Sequence, residues 1–371
     1  MNVYWYCPFE NPDVPTLASE LARAGDRVTA HLPRAASPFQ AGIAGPDYRE
    51  LRDLPAVLSW EKGRIRWLSS RAAAYLRRAH LRGRMVRSSR YDVCHLFHLN
   101  RFTDGWALRF GRRVPLISNV HDVMPHDRRG SDRLERRLLA SLYRNAGTLV
   151  VAHDRLRRQL AEEFDVPDER IEVIPLPIHA PRDATGPVKG PQSPTVLFFG
   201  SLRRNKGIPT LLHSAELLNG NGDVRFHVAG GGPPDMEELV RDAGSRHLSI
   251  SAEIGFVPLE RKDPLFRSAC LVVLPYESFT SQSAVLGDAY SYGVPVVVTD
   301  VGALGDTVRE DRTGWVVPPS DPKALAEAIT SALADEPARR LAAEHARRAA
   351  TARSYEVVGQ ALHDLYRRLA A

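Results

Sequence analysis

Two stretches of this 371-residue chain collect residue types suited to holding a phosphate. In FFGSLRRNKGIPTLL (198–212) an apolar run ends at Gly200. Ser201, Arg203, Arg204 and Lys206 follow, and Gly207 precedes the next helical pattern. Close backbone approach plus two or three cations is what a departing diphosphate needs, because its charge grows as it leaves. A merely basic surface loop is the plain alternative. In LPYESFTSQSAVLGDAYSYGVPVVVTDVGALGDTV (274–308), Ser281, Gln282 and Ser283 fall where a helix should begin. Free backbone N–H groups and the helix dipole accept a phosphate there, and simple N-capping is the bland reading of the serines. Asp288, further along that helix, is placed either to hold a ribose diol or to sit in solvent.

The first half offers a different set. NVHDVMPHD (119–127) puts His121 and Asp122 just past an apolar run, where an imidazole can position a hydroxyl or a sugar. His95 and His98 stand three apart on one expected strand and so point to opposite faces, which disfavours a metal pair and leaves His98 able to reach a ligand. The first loop, CPFENPDVPTL, lacks G-x-G-x-x-G, so no dinucleotide site is expected there. Its Glu10 and Asn11 would either meet an acceptor or simply turn the chain into a helix. No Asp-x-Asp occurs in the chain, so no carboxylate pair at that spacing is available to hold a metal against a diphosphate. Cationic side chains and a helix N-terminus would take its place, with no cofactor.

These residues need a scaffold, and the hydrophobic pattern supplies one. NVYWYC, RVTAHL, YDVCHLFHL, VPLISNVHDV, TLVVAHD and IEVIPL read as strands, with helices between them over 14–25, 103–111, 131–144 and 155–164. HAPRDATGPVKGPQSP (179–194), with four prolines and two glycines, reads as a linker. A second series starts at TVLFFGSL and alternates strands with helices at 209–218, 235–243 and 283–292. It ends in three helices, over 322–334, 336–350 and 354–369. Strands alternating with helices imply parallel sheets, whose ligands sit beyond the carboxyl ends of the strands.

Taken in order, these segments resemble the retaining nucleotide-sugar glycosyltransferases of family 4, which have the GT-B fold. DVRFHVAGGGP, with Gly230 and Gly231, is similar to the family's glycine-rich turn beside the nucleotide. IGFVPLERKDPLFRSACLVVLPY is similar to the stretch that contacts the base, and YEVVGQALHDLYRRL resembles the closing helix. The resemblance implies an α/β fold of two Rossmann-like domains facing across a cleft. An acceptor domain would span 1–178 and a donor domain 195–353, with a helix at 354–371 returning to the first. It assigns the donor diphosphate to Lys206, with Arg203 supplying further charge where the family often has an arginine at the position of Ser201. The second carboxylate of the family's Glu-x7-Glu pattern falls on Asp288. The first falls near Thr280, with Glu277 close by but out of register, and Asp306 matches an acidic position beyond the turn. His121 and Asp122 match the family's His-Asp beside the reacting sugar.

The activity this implies is metal-independent transfer of a sugar from a nucleotide diphosphate sugar to an acceptor hydroxyl on a small natural product, a glycan or a lipid-linked compound. A nucleotide-sugar epimerase of the same fold and a non-catalytic nucleotide-sugar binder are the alternatives. Apolar residues make up 43% of the chain and charged residues 25%, which excludes a disordered or fibrous chain. No apolar run is long enough to span a membrane, and three cysteines far apart in sequence fit a reducing, cytoplasmic setting. Residues 1–180 carry 29 basic and 21 acidic residues, against 21 and 23 in the rest, so an anionic partner is expected for the first half. RIRWLSSRAAAYLRRAHLRGRMVRSSR (64–90) holds nine arginines and no acid, with an apolar stripe of Leu68, Ala72, Tyr75 and Ala79 after Trp67. Such a helix lies at the inner membrane face, meets an anionic soluble acceptor, or packs on its own sheet with its arginines solvated. Nucleic acid is not an expected partner, because no aromatic base-stacking module accompanies the arginines.

Overall fold

A computed structural model describes residues 1–8, 11, 13–33, 47–51, 76–108, 113–124, 132–180, 194–218, 224–247, 249–279 and 282–371. The chain forms two compact units: Met1–Pro175 with Tyr355–Ala371, and Leu176–Ser354.

The sheet of the first unit contains β1 (Asn2–Tyr6), β2 (Arg27–Pro33), β3 (Asp47–Leu51), β4 (Val93–Leu96), β5 (Leu116–Asn119), β6 (Thr148–Val151) and β7 (Ile171–Val173). All pair in parallel in the order β3-β2-β1-β4-β5-β6-β7. Val3 through Tyr6 are all buried, the continuous apolar pattern of a strand covered on both faces. The covering helices are α1 (Asp13–Arg23), α2 (residues 76–85), α3 (Asp104–Ala107), α4 (Asp132–Asn145) and α5 (Asp154–Phe164).

The stripe residues Trp67, Leu68, Ala72 and Tyr75 lie outside the described residues; on α2 the expectation of solvated arginines holds for Arg77 and Arg84, which are exposed, and fails for two others. Arg78 and Arg82 are buried, at 6% and 3% exposure, while Leu76 on the same helix is exposed. Arg82 is ion-paired with Asp104 at the start of α3, and its Nη1 donates to the Tyr6 hydroxyl at 2.8 Å. A guanidinium has five fixed donors, so one side chain can tie α2, α3 and β1 together.

The second unit repeats the plan with β8 (Thr195–Phe199), β9 (Arg225–Gly230), β10 (Ile250–Ile254), β11 (Leu271–Leu274), β12 (Val296–Thr299) and β13 (Gly314–Val317). Its order is β10-β9-β8-β11-β12-β13, again parallel. Strand order reverses at β8/β11 here and at β1/β4 in the first unit, and the loops after those strands are where doubly wound sheets bind ligands. Helices α6 (Ile208–Leu218), α7 (Pro234–Arg246), α8 (Leu259–Ser268), α9 (Ala284–Tyr292), α10 (Gly302–Asp311), α11 (Pro322–Ala334) and α12 (Glu336–Ala352) surround the sheet.

The last helix, α13 (Tyr355–Ala370), belongs to the first unit. Val358, Leu362, Leu365 and Tyr366 join the core of Val3, Trp5, Leu17 and Leu21. A Cβ on Gly359 would stand 2.6 Å from Cβ of Glu20, so α13 approaches α1 closely because that position is glycine. The observed architecture is thus α/β with two Rossmann-like units and a returning C-terminal helix, as a GT-B enzyme requires.

Candidate functional site

At the reversal point of the second unit, the chain leaves β8 through Gly200 and runs through Ser201, Leu202 and Arg203 into a short 3-10 turn over Arg204–Lys206. Gly207 closes that turn with φ of 71°, and a Cβ there would lie 1.7 Å from the carbonyl oxygen of Pro275. Only glycine permits both the left-handed backbone and the approach. Gly230, with φ of 146°, plays the same part at the end of β9, where a Cβ would meet the Gly200 carbonyl oxygen at 1.8 Å. Backbone bonds lace the loops together: Leu202 N–H donates to Gly231 C=O, and Glu277 N–H donates to Asn205 C=O, both at 2.9 Å.

Lys206 is the distinctive side chain of this surface. Its Nζ sits 3.6 Å above the Tyr276 ring centroid and 4.2 Å from that of Phe279. Burial, and secondarily the nearby Arg203 charge, push its pKa down to about 8. Two aromatic faces favour the ammonium, but they replace less than the water they exclude. Arg203 and Arg204 are exposed beside it, as is Ser201. Tyr276 is held from below: its hydroxyl is 3.1 Å from Ser283 Oγ, and its carbonyl accepts from Thr299 Oγ1 at 2.6 Å.

Ser283 is the N-cap residue of α9, buried and without a side-chain cap bond. The first N–H groups of α9 point out of the helix start, as in any helix, and the dipole favours an anion there. Gln282 turns the other way, with its Oε1 3.5 Å from the Leu176 N–H. Ser281 and Thr280 lie outside the described residues. Asp288 pairs with Lys262 of α8 at 2.5 Å rather than standing in solvent. Glu277 accepts from Thr210 Oγ1 at 3.2 Å, which places its carboxylate beside the basic loop. Asp306 lies on α10 and contacts Arg309 at 3.5 Å.

In the first unit, a pocket of about 300 Å³ opens beyond β4 and β5. His98, His121 and Asp122 all line it, so these three residues are brought together. β4 ends at Leu96, which corrects the expectation that His98 shares a strand with His95. His95 is on the strand and buried at 1% exposure, whereas His98 lies in the following loop. Burial lowers the pKa of each to about 4. His121 has its Nε2 2.8 Å from the Phe97 carbonyl, which can only accept. Nε2 therefore carries a proton, and in the neutral ring Nδ1 keeps its lone pair. Asn11 is a turn residue: its Oδ1 accepts from the Asp13 N–H at 2.9 Å at the start of α1. Glu10 lies outside the described residues.

The sequence reading missed Asn119, Arg101, Phe102 and Tyr143, which also line this pocket. Arg101 is fixed by Glu135 of α4 at 2.7 Å. Asn119 opens the NVHD turn and was the one available signal, since a polar residue at a strand's carboxyl end faces the ligand side.

Comparison with known proteins agrees with this geometry. The family described as Glycosyl transferases group 1 matches residues 193–335, and Glycosyltransferase Family 4 matches residues 14–182. A D-inositol 3-phosphate glycosyltransferase of Corynebacterium jeikeium is 28% identical over 309 residues, covering 75% of this chain and 73% of its own. Sucrose-phosphate synthase from Thermosynechococcus elongatus superimposes with a TM-score of 0.74 at 20% identity, over 100% of this chain and 99% of that one. Anabaena HepE, solved in complex with UDP-glucose, gives 0.72 at 15% identity over 100% of both chains.

Proposed function

Because the chain belongs to the group 1 glycosyltransferases, with the GT-B fold, we propose that it transfers a hexose from a UDP-sugar to an acceptor hydroxyl with retention of configuration and without a metal. The observation that carries this reading is Lys206, half-buried beside Arg203 on two aromatic rings, one of which bonds Ser283 at the start of α9. The donor diphosphate would lie across Arg203, Lys206 and the first N–H groups of α9, with Gly200, Ser201, Gly230 and Gly231 letting it approach the backbone. Asp288 or Glu277 would take hydroxyls of the ribose or the sugar. The acceptor hydroxyl would be held in the first unit, near His121 and Asp122.

The bond from the anomeric carbon to the diphosphate oxygen breaks, and the bond to the acceptor oxygen forms on the same face. The acceptor proton passes to the departing diphosphate. Charge on that diphosphate is the main thing the protein must stabilise, and the two cations and the helix dipole act there. The bound HepE ligand supports the choice of UDP over other nucleotides, and the absence of an Asp-x-Asp motif supports the metal-free reading.

The test is thermal melting with UDP, GDP, ADP and dTDP, each with and without EDTA, followed by UDP release from UDP-glucose. UDP is expected to raise the melting temperature selectively, with EDTA making no difference. Lys206→Ala should lower UDP release by ~100-fold or more while the free protein melts normally, in line with the loss of a charge-stabilising group. Failure of every nucleotide to shift the melt, or normal release by Lys206→Ala, would overturn the proposal.

A further inference from the structure

Lys262 of α8 and Asp288 of α9 face each other over the carboxyl end of β8, with Nζ 2.5 Å from Oδ1. Both side chains are largely covered, at 21% and 18% exposure. The Lys262 ammonium also lies 5.7 Å from the ring centroid of Phe199, the last residue of β8, and 5.9 Å from that of Phe266. An ammonium has three donors, and a carboxylate can only accept. Among the described residues Asp288 is the one hydrogen-bond partner of Lys262, so two of its donors remain for a ligand.

The place of this pair beside the basic loop follows from α9. Val285 lies against Gly200, where a Cβ would stand 3.5 Å from Val285 Cγ2. Residues three apart share a helix face, so Asp288 faces the same way as Val285. Five residues of helix put Asp288 ~7.5 Å along the axis from the Ser283 cap. A nucleoside diphosphate resting on the helix start therefore brings one of its sugars to the pair. Helix α8 is tied at its other side to β10, through Arg261 and Glu253 at 2.7 Å. Beyond β10 stands Phe256, 93% exposed, an open ring on which a flat base can stack. With the base toward β10 and the phosphates toward the loop after β8, the ribose that joins them falls beside Lys262. Charge agrees with this placing. A lone Asp288 carboxylate would repel the diphosphate, and Lys262 cancels that charge while leaving both a donor and an acceptor in position.

We propose that Lys262 selects the ribose of the donor: its ammonium donates to a ribose hydroxyl oxygen whose own proton goes to Asp288. One hydroxyl satisfies both members of the pair. A hydrogen in its place satisfies neither, and leaves two partly buried charges without the water they gave up. The pair therefore favours a ribonucleotide over a deoxyribonucleotide. This inference rests on the placing of the diphosphate under the proposed function.

The experiment is isothermal titration calorimetry of the full chain with UDP, 2′-deoxy-UDP and 3′-deoxy-UDP. UDP should bind ~30-fold or more tightly than at least one deoxy analogue, as expected for a hydrogen-bonding site that loses its hydroxyl. In Lys262→Met, whose apolar stem keeps the contacts with Phe199 and Phe266, that preference should shrink to ~3-fold or less. Lys262→Met with Asp288→Asn removes both charges together, so no carboxylate is left unpaired, and should bind the three ligands within ~3-fold of one another. Equal binding of all three by the wild type, or a preference that survives in Lys262→Met, would overturn the inference and leave the donor site standing. Binding of none of the three by the wild type would overturn the donor reading itself.

Discussion

Raising the pH from 7 to 9 should weaken UDP binding through one side chain. Lys206 has a pKa lowered to about 8, so in the free protein it is roughly ten-elevenths protonated at pH 7 and one-eleventh at pH 9. A diphosphate on Nζ favours the ammonium and raises that pKa again, by the same electrostatics that any adjacent opposite charge exerts. Binding at pH 9 must then take up about 0.8–0.9 of a proton, against about 0.1 at pH 7. Affinity should fall about tenfold over the two units, or about 1.4 kcal/mol.

Isothermal titration calorimetry in buffers of different ionisation heat reads both the affinity and the proton count. Lys206→Arg keeps its charge throughout and should abolish the dependence. The sign reverses for the free protein. Between pH 8 and the ordinary lysine range the unfolded chain binds a proton that the folded chain has released, so this group makes folding more favourable as pH rises. Affinity that is equal at pH 7 and pH 9, or a dependence that survives in Lys206→Arg, would refute the placement of Lys206 against the diphosphate.

Two further outcomes concern stability. Arg82→Leu leaves Asp104 buried at 0% exposure without its cation and should cost about 3–5 kcal/mol in chemical denaturation. Arg82→Leu with Asp104→Leu should recover much of that, and no recovery would mean the cost lies in packing. Gly207→Ala drives a methyl into the Pro275 carbonyl and strains the left-handed turn, so the melting temperature should fall by several degrees, in line with a loss of about 2 kcal/mol or more.

The strand–helix alternation was legible because buried parallel strands and amphipathic helices each carry a strong period. NVYWYC and TVLFFG begin the two central strands, and Gly207 and Gly293 stand at a turn and a helix end where φ is positive. Three elements escaped. Helix α8 contains Pro264, which reads as a breaker, and α10 starts with glycine and carries no strong cap. Strand β3, DYREL, is a polar edge strand with too few apolar residues to show alternation. Site residues were legible where one loop collects them, as at 200–207. They were not where the contact is tertiary: Glu277 meets Thr210 across 67 residues, and Lys206 rests on Phe279 across 73. The inward turn of Arg82 was hidden for the same reason, since its partners Tyr6 and Asp104 belong to other elements.

The first unit closes its core on a helix that is made after the whole of the second unit. Trp5 and Tyr366 bond across 361 residues, and Tyr355 bonds Asp13 across 342. On the ribosome, the β1–α1 face of that unit must therefore wait, uncovered, while the whole second unit emerges and folds. Val3, Leu17 and Leu21 remain without their α13 cover until residues 355–370 leave the exit tunnel. The second unit, continuous from Leu176 to Ser354, has no such wait. The first unit can thus complete its core only after the second has been made, and a chain stalled before α13 leaves that apolar face open to a chaperone or a protease.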